Sequence, residues 1–315
     1  MKMKLGLLAV LAVISAPATA GTIDLGVASD YNAFIFGDYT TNGNSTAGAL
    51  AIGGSASLNG HSIGNNQHND YAAVIGGNLG STPWGGSANG SLWVGGTNNK
   101  GQGYTVSGQV DTSATVSAPV DFAAAQTYLT SLSSGLASVG ATGSYAAQDQ
   151  WNQASKIFTG SGSNVEFFSL NASEFSSFNN LSFSSIATGT TLIFNVAGTS
   201  ATLGWQWQSL GSNYNVLFNF YEATSVTLQN ASLYANILAV DATINGSGNL
   251  YGTVVGESWN NAFTLGNGGF ATANSSLFAG VTAAVPEPSS YALLLAGLVM
   301  IGFTATRRKR ILARM

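Results

Sequence analysis

Leu50-Ala51-Ile52-Gly53-Gly54, Ala73-Val74-Ile75-Gly76-Gly77 and Leu92-Trp93-Val94-Gly95-Gly96 repeat one phrase, a short apolar run closed by two glycines. The copies start 23 and 19 residues apart (73 − 50 and 92 − 73). That is the length of one coil of a β-solenoid, in which each turn buries its inward side chains only by lying on the next. A second repeat comes late. Leu233-Tyr234-Ala235-Asn236-Ile237-Leu238 matches Leu250-Tyr251-Gly252-Thr253-Val254-Val255 at an interval of 17 (250 − 233). Val226-Thr227-Leu228 precedes the first of these and Ala242-Thr243-Ile244 the second, and Thr191 to Val196 and Asn215 to Tyr221 are further strand candidates. Ordinary hairpins of a β-sandwich would also give alternating strands and glycine turns. The unequal intervals and the Gly-Gly punctuation favour a mainly β, right-handed β-solenoid.

One segment breaks the β pattern. Between Pro119 and Val139 the apolar residues Phe122, Ala125, Leu129, Leu132, Leu136 and Val139 follow steps of three and four, one face of an α-helix that Asp121 can start and Gly140 can end. Such a helix, about 119–139, covers apolar surface that a coil leaves open along its wall. A weaker helix is expected from Tyr145 to Phe158. The Gly and Ser cluster from Ala137 to Ser144 is either part of one domain or a linker between two.

The ends of the chain read as addresses. Lys2 and Lys4, the apolar run Leu5 to Ile14 and Ala18-Thr19-Ala20 have the order of a signal peptide over residues 1–20, cut between Ala20 and Gly21. At the other end Pro286-Glu287-Pro288 leads into 18 uncharged residues, Ser289 to Thr306, closed by Arg307, Arg308, Lys309 and Arg310. A helix of that length covers roughly 27 Å, close to the ~30 Å hydrocarbon core, so 289–306 is a candidate transmembrane helix. Its basic flank would stay cytoplasmic and place the body on the other side. This ending resembles the PEP-CTERM sorting signal, here residues 284–315. The resemblance implies that an exosortase recognises the tail and removes it, so that the helix holds the protein in the inner membrane only transiently before it reaches the cell surface or the extracellular matrix.

Between Gly21 and Val285 the only cations are Lys100 and Lys156, against 12 of the 13 acids, so the body carries 2 − 12 = −10 formal charges. A body so charged is repelled by phosphate backbones, which excludes nucleic acid as a partner. The charge serves solubility outside the cell; alternatively, some acids collect divalent cations that bridge to anionic polysaccharide. With no cysteine, an exported chain must be held by packing. Its 45% hydrophobic and 7% charged residues supply a large core.

Asp30-Tyr31-Asn32-Ala33-Phe34-Ile35-Phe36-Gly37-Asp38 followed by Gly48 to Leu58 resembles the choice-of-anchor A family. The likeness is distinctive over Leu25 to Gly64, and the body, about 21–283, is similar in plan to the β-helical, ice-binding-like adhesive domains. What this implies is surface display and adhesion, with no catalytic residues to carry over. An ice-binding face would need ranks of Thr-x-Thr on successive coils, and only Thr188-Gly189-Thr190 fits.

The chemistry search returns little. His61, His68 and Asp70 could make only a weak metal site, in an Asn-rich stretch that reads more readily as solvated turns, and no metal or other cofactor is expected. Glu222, Asp241 and Glu257 are carboxylates for a polysaccharide-degrading β-helix enzyme, yet none has an acidic partner nearby in sequence. The chain is therefore read as a non-enzyme. Trp205-Gln206-Trp207 on a strand would put two indoles on one face, with Tyr214 nearby, a platform for sugar rings. The alternative is that both indoles fill the core. Trp84, Trp93, Trp151 and Trp259 read as packing. The expected role is an exported structural or adhesive protein associated with exopolysaccharide or biofilm. Its partners are an exosortase-type enzyme and extracellular polysaccharide or another cell surface.

Overall fold

The computed structural model describes residues 20–66, 69–210, 213–260, 264–265 and 281–284. Residues 22–283 form one compact unit; of the other, made from the two ends of the chain, only residues 20, 21 and 284 are described. The signal-peptide residues up to Thr19, the sorting residues Pro286, Glu287, Pro288, Arg307, Arg308, Lys309 and Arg310, and the expected span 289–306 all lie outside the described residues. Among the described residues no helix is long and apolar enough to cross a membrane.

The body is a coil of parallel strands with three faces, here called A, B and C. Face A is a stack of ten. From one end it runs Val165–Asn171, Thr191–Ala197, Asn215–Asn219, the start of Asn236–Leu250, the start of Val254–Asn260, Ala33–Ile35, Leu50–Ile52, Tyr71–Ile75, Ser91–Val94 and Val110–Thr112. The order in space is not the order in sequence. The first strand of the coil, Ala33–Ile35, sits in the middle, in register with both Leu50–Ile52 and Val254, Val255 and Gly256. The chain climbs from there to Val110–Thr112 and crosses to the far end. It then climbs again until its last coils dock beneath its first.

The crossing is made by helix α1, Phe122–Ala137, whose N-terminal N–H groups are capped by the Asp121 carboxylate at Ala124 N, 3.0 Å. Helix α1 exists because face A is apolar on both sides. Ala33, Phe34 and Ile35 are all buried, as are Leu50, Ala51 and Ile52, where a strand with one wet face would alternate. The rings of Phe122 and Phe34 lie 5.3 Å apart, and Ala125, Leu129 and Leu136 are buried on the same helical side. Two asparagines on face A fix the far end. Asn219 donates to Ser133 O (2.9 Å) and to Asn195 Oδ1 (2.8 Å), and Asn195 donates to Leu136 O (2.7 Å). Farther up, Trp93 donates to Val116 O at 3.1 Å, so the segment leading into the helix covers the remaining coils.

Faces B and C alternate. On face B, Tyr39, Thr41, Ala56, Leu58, Val226, Leu228, Ala242 and Ile244 point inward while their neighbours Thr40, Ser57, Thr227 and Thr243 are half-exposed. The interval of 23 residues places Ala73 on Leu50, and that of 17 places Leu250 on Leu233, as the two sequence repeats require. The Gly-Gly pairs mark the corner between faces A and B. A Cβ on Gly76 would run into the carbonyl of Gly53 directly below, and one on Gly95 into that of Gly76, so this column of corners admits no side chain.

Coil length sets what fills the interior. The lower coils advance 26 and 24 residues (191 − 165 and 215 − 191) and enclose rings: Phe168, Phe194 and Phe218 stack in register at 5.3 and 5.1 Å. Upper coils advance 17 to 23 residues and are filled mainly by Ala, Val, Leu and Ile, with Tyr39, His61 and Tyr104 as the larger inward side chains. The wide end is closed by a small sheet of Ser144–Ala147, Ser155–Thr159 and Asn180–Ser184, which sends Phe158 between Phe168, Phe194 and Trp207. The helix expected from Tyr145 to Phe158 is not there. Those residues form two antiparallel strands with Tyr145 opposite Phe158, because their apolar side chains alternate toward the aromatic interior. Nor is 137–144 a free linker, since Thr142 N donates to Phe167 O and its hydroxyl to Glu166.

Candidate binding surface

The strand pairing converts scattered Ser, Thr and Asn residues into columns. On face B the residues in register are Thr202, Thr227, Asn245, Asn260, Thr40 and Ser57, one per coil over six coils. Two positions earlier on each of the first four coils stand Ser200, Ser225, Thr243 and Ser258. Face C adds Ser45, Ser62, Ser87 and Thr105 in register. Some neighbours bond along the column: Ser258 Oγ to Thr243 Oγ1 at 2.9 Å, and Ser87 Oγ to Ser62 Oγ at 3.0 Å. With coils ~4.8 Å apart and alternate residues ~6.7 Å apart, the result is a flat lattice of hydroxyl and amide groups. A demand for Thr at both positions passes over it, because Ser and Asn hold many of them. Thr188 and Thr190, which satisfied that demand, lie before Thr191–Ala197 and not on face B.

The acids lie elsewhere. Glu222, Asp241, Glu257 and Asp38 occupy the corner between faces A and B on four consecutive coils. Stacking thus brings together carboxylates that sequence holds far apart. Glu222 accepts from Gly198 N at 2.9 Å, and Asp38 from Ser55 N at 2.7 Å. Glu222, Asp241 and Asp38 are exposed on a convex edge, whereas a glycosidase needs one carboxyl kept protonated in a desolvated pocket. Two recesses lie along another edge. One of about 380 Å³ is lined by Asp70, Tyr71, Ser91 and Asp111, with Tyr71 donating to Asp111 at 2.9 Å, and an adjoining one of about 390 Å³ reaches Asp30 and Tyr31. Burial, with Asp30 and Asp70 beside it, pushes the Tyr31 phenol up to about 12. Both body cations are engaged. Lys156 pairs with Glu174 at 2.8 Å beneath the Tyr145 and Phe178 rings, and Lys100 donates to Tyr104 O.

His61 does not lie in a solvated turn. It is an inward residue of His61–Ile63, 0% exposed, with Nε2 2.9 Å from Thr46 Oγ1 and Nδ1 unpartnered. Burial pulls its pKa down to about 4. It cannot share an ion with exposed Asp70, and His68 lies outside the described residues. Among the described residues no group of three or more His, Asp or Glu could hold a metal.

Trp205 and Trp207 are not on a strand. They open a 3₁₀ turn, Trp205–Leu210, in which residues two apart point to different sides. Trp207 is 1% exposed inside the aromatic interior, 4.6 Å from Phe175 and 5.0 Å from Phe218, while Trp205 is 62% exposed. Tyr214 packs half-buried on Phe183 at 5.5 Å. The two-indole platform therefore does not form, and neither of the alternatives weighed from sequence holds for both residues. Trp93, beneath the segment that covers face A, and Trp259, in the interior, are buried packing residues as expected, but Trp84 and Trp151 are not, being 73% and 88% exposed. Of the signal-cleavage residues, Ala20 and Gly21 fall in the strand Ala20–Ile23 and Ala18 lies outside the described residues.

Residues 24–272 match the ice-binding-like adhesive domain family, and residues 284–310 match the PEP-CTERM protein-sorting motif. The chain belongs to the ice-binding-like adhesive domain family. Its sorting motif implies export and processing by an exosortase, and the family is adhesive rather than catalytic. Two solved structures are similar. An ice-binding protein from the Antarctic ascomycete Antarctomyces psychrotrophicus is 17% identical over 78% of this chain and 97% of its own, with a TM-score of 0.32. An ice-binding protein from an Antarctic biological consortium is 11% identical over 82% and 95%, with a TM-score of 0.35. The fold assignment rests on the strand pairing, not on these likenesses. No curated protein matches the chain.

Proposed function

We propose that the protein is a surface-displayed or matrix-associated adhesin that holds extracellular polysaccharide through its hydroxyl and amide lattice, in exopolysaccharide or biofilm. The observation that carries this reading is the separation of chemistry on one coil. Faces B and C present uncharged hydrogen-bonding columns, while acids line the corner between A and B. Sugar hydroxyls are donors and acceptors at once, and many weak contacts on a rigid surface add at little cost in the protein's own conformational entropy. The choice-of-anchor A likeness of Leu25 to Gly64 belongs to the same proposal. So does the processing scheme, with cleavage before Gly21, a transient membrane helix at 289–306 and removal of the tail after the Pro286-Glu287-Pro288 signal. The coil is taken as right-handed, the hand of nearly all parallel β connections.

The protein should be retained by immobilised extracellular polysaccharide from the producing cells and should leave the viscosity of that polymer unchanged. A fall in viscosity would replace the adhesin with a polysaccharide-degrading enzyme. A second reading has one observation in its favour: the same columns could order water as ice does. Thermal hysteresis at micromolar protein would establish it.

A further inference from the structure

The two indoles that the coil leaves most exposed, other than Trp151 in the closing sheet, stand on one edge. Trp205 follows Ser200–Gly204 directly, at the corner where face B turns into face C. Trp84 stands at the same corner higher up, after Leu79 on face B and before Gly86–Ala88 on face C; its backbone N–H donates to Asn59 Oδ1 of the coil below at 2.9 Å. Counting by register from Thr202 through Thr227, Asn245, Asn260, Thr40 and Ser57 to the coil of Leu79 gives six steps. At ~4.8 Å per coil the indoles are about 29 Å apart along the axis.

Among the described residues the edge between them is low and uncharged. Its described residues include Gly246, Gly248, Gly43 and Gly60, which raise no side chain, and no Asp, Glu, Lys or Arg stands among its described residues or in the two adjoining columns. Tryptophan is on average a highly buried residue, and here two project from an otherwise polar edge. Indole faces pack on the apolar C–H faces of sugar rings, while hydroxyl and amide columns to either side meet the ring hydroxyls. The body's −10 charges and its engaged lysines disfavour a polyanion.

We propose that this edge is the polysaccharide-binding site, that its occupant is a neutral polysaccharide chain lying parallel to the coil axis, and that Trp84 and Trp205 are its two stacking anchors. The inference rests on the polysaccharide-binding reading above and specifies its site and ligand class.

The test is affinity electrophoresis of the full chain through gels containing hydroxyethylcellulose, dextran or galactomannan, with alginate as the anionic counterpart. At least one neutral polymer should retard the protein and alginate should not. Trp84→Ala and Trp205→Ala should each weaken retardation about fivefold or more, and the double variant at least by the product, with circular dichroism unchanged. Retardation of the double variant equal to that of the wild type, with Thr227→Asp abolishing it, would overturn the anchors and leave polysaccharide binding in place. Retardation by alginate alone would overturn the neutral occupant. If neither these polymers nor the cells' own polysaccharide retain the wild type, the functional reading fails and this inference with it.

Discussion

Trp205 and Trp207 differ by two positions and by almost everything else. Truncating Trp207 to Ala removes an indole that touches Phe158, Phe175, Phe194 and Phe218, and should cost about 3–5 kcal/mol in urea unfolding. The same change at Trp205 should leave stability within about 0.5 kcal/mol, because that ring has little burial to lose. His61 makes a prediction in pH. Its folded pKa of about 4 lies below the ordinary 6.5, so the unfolded chain binds the extra proton and stability falls as pH drops from 6.5 through 4. The full effect is about 3 kcal/mol, and it should vanish from the urea midpoints measured at pH 7 and pH 4 once His61 is replaced by Gln. Glu166 is shifted in the same direction by a different cause. Burial alone would raise its pKa, but donors from Thr142, Ser161 and Ser163 outweigh that and hold it below the usual value. Glu166→Ala should cost about 1–3 kcal/mol at neutral pH, less once acid protonates the wild-type carboxyl, as urea titrations at the two pH values would record.

At the scale of elements, two glycines separate crowding from propensity. Gly76→Ala forces a methyl group against the Gly53 carbonyl and should destabilise the coil by more than 2 kcal/mol, whereas Gly135 in α1 has open space beside its Cα, and Gly135→Ala should stabilise by about 0.5–1 kcal/mol. Thermal unfolding of the two variants checks both signs. These elements were legible to different degrees. The Gly-Gly phrases and α1 were readable because each is enforced within a few residues, by a backbone contact at a corner or by one buried stripe. The strands at Tyr145 and Phe158 were not, because what selects them is the aromatic interior contributed by Phe168, Phe194 and Trp207. The columns of face B and the acidic corner were hidden for a similar reason. Their members are up to 220 residues apart in sequence (260 − 40), and only the docking of one block of coils on the other aligns them. Trp84 gave no local signal at all: exposure is decided by the corner on which it stands.

For the whole molecule the decisive feature is continuity. An N-terminal block ending at Thr112 and a C-terminal block beginning at Val165 each leave an open edge, and each covers the other's: Ala33 pairs with Val254 as closely as with Leu50. The wide end is closed by its own small sheet, and α1 ties the blocks along face A. Face B is therefore one surface, and a lattice spanning six coils exists only if the junction forms. The absence of cysteine makes that junction directly measurable. Thr40 and Asn260 are in register across it, as Thr40 and Ser57 are within the N-terminal block, at a separation a disulfide can span. Oxidation of the double variants Thr40→Cys/Asn260→Cys and Thr40→Cys/Ser57→Cys, followed by non-reducing electrophoresis and thiol titration, reads both contacts. Cross-links in both would match a continuous coil, while a cross-link to position 57 with thiols left free at 40 and 260 would contradict it.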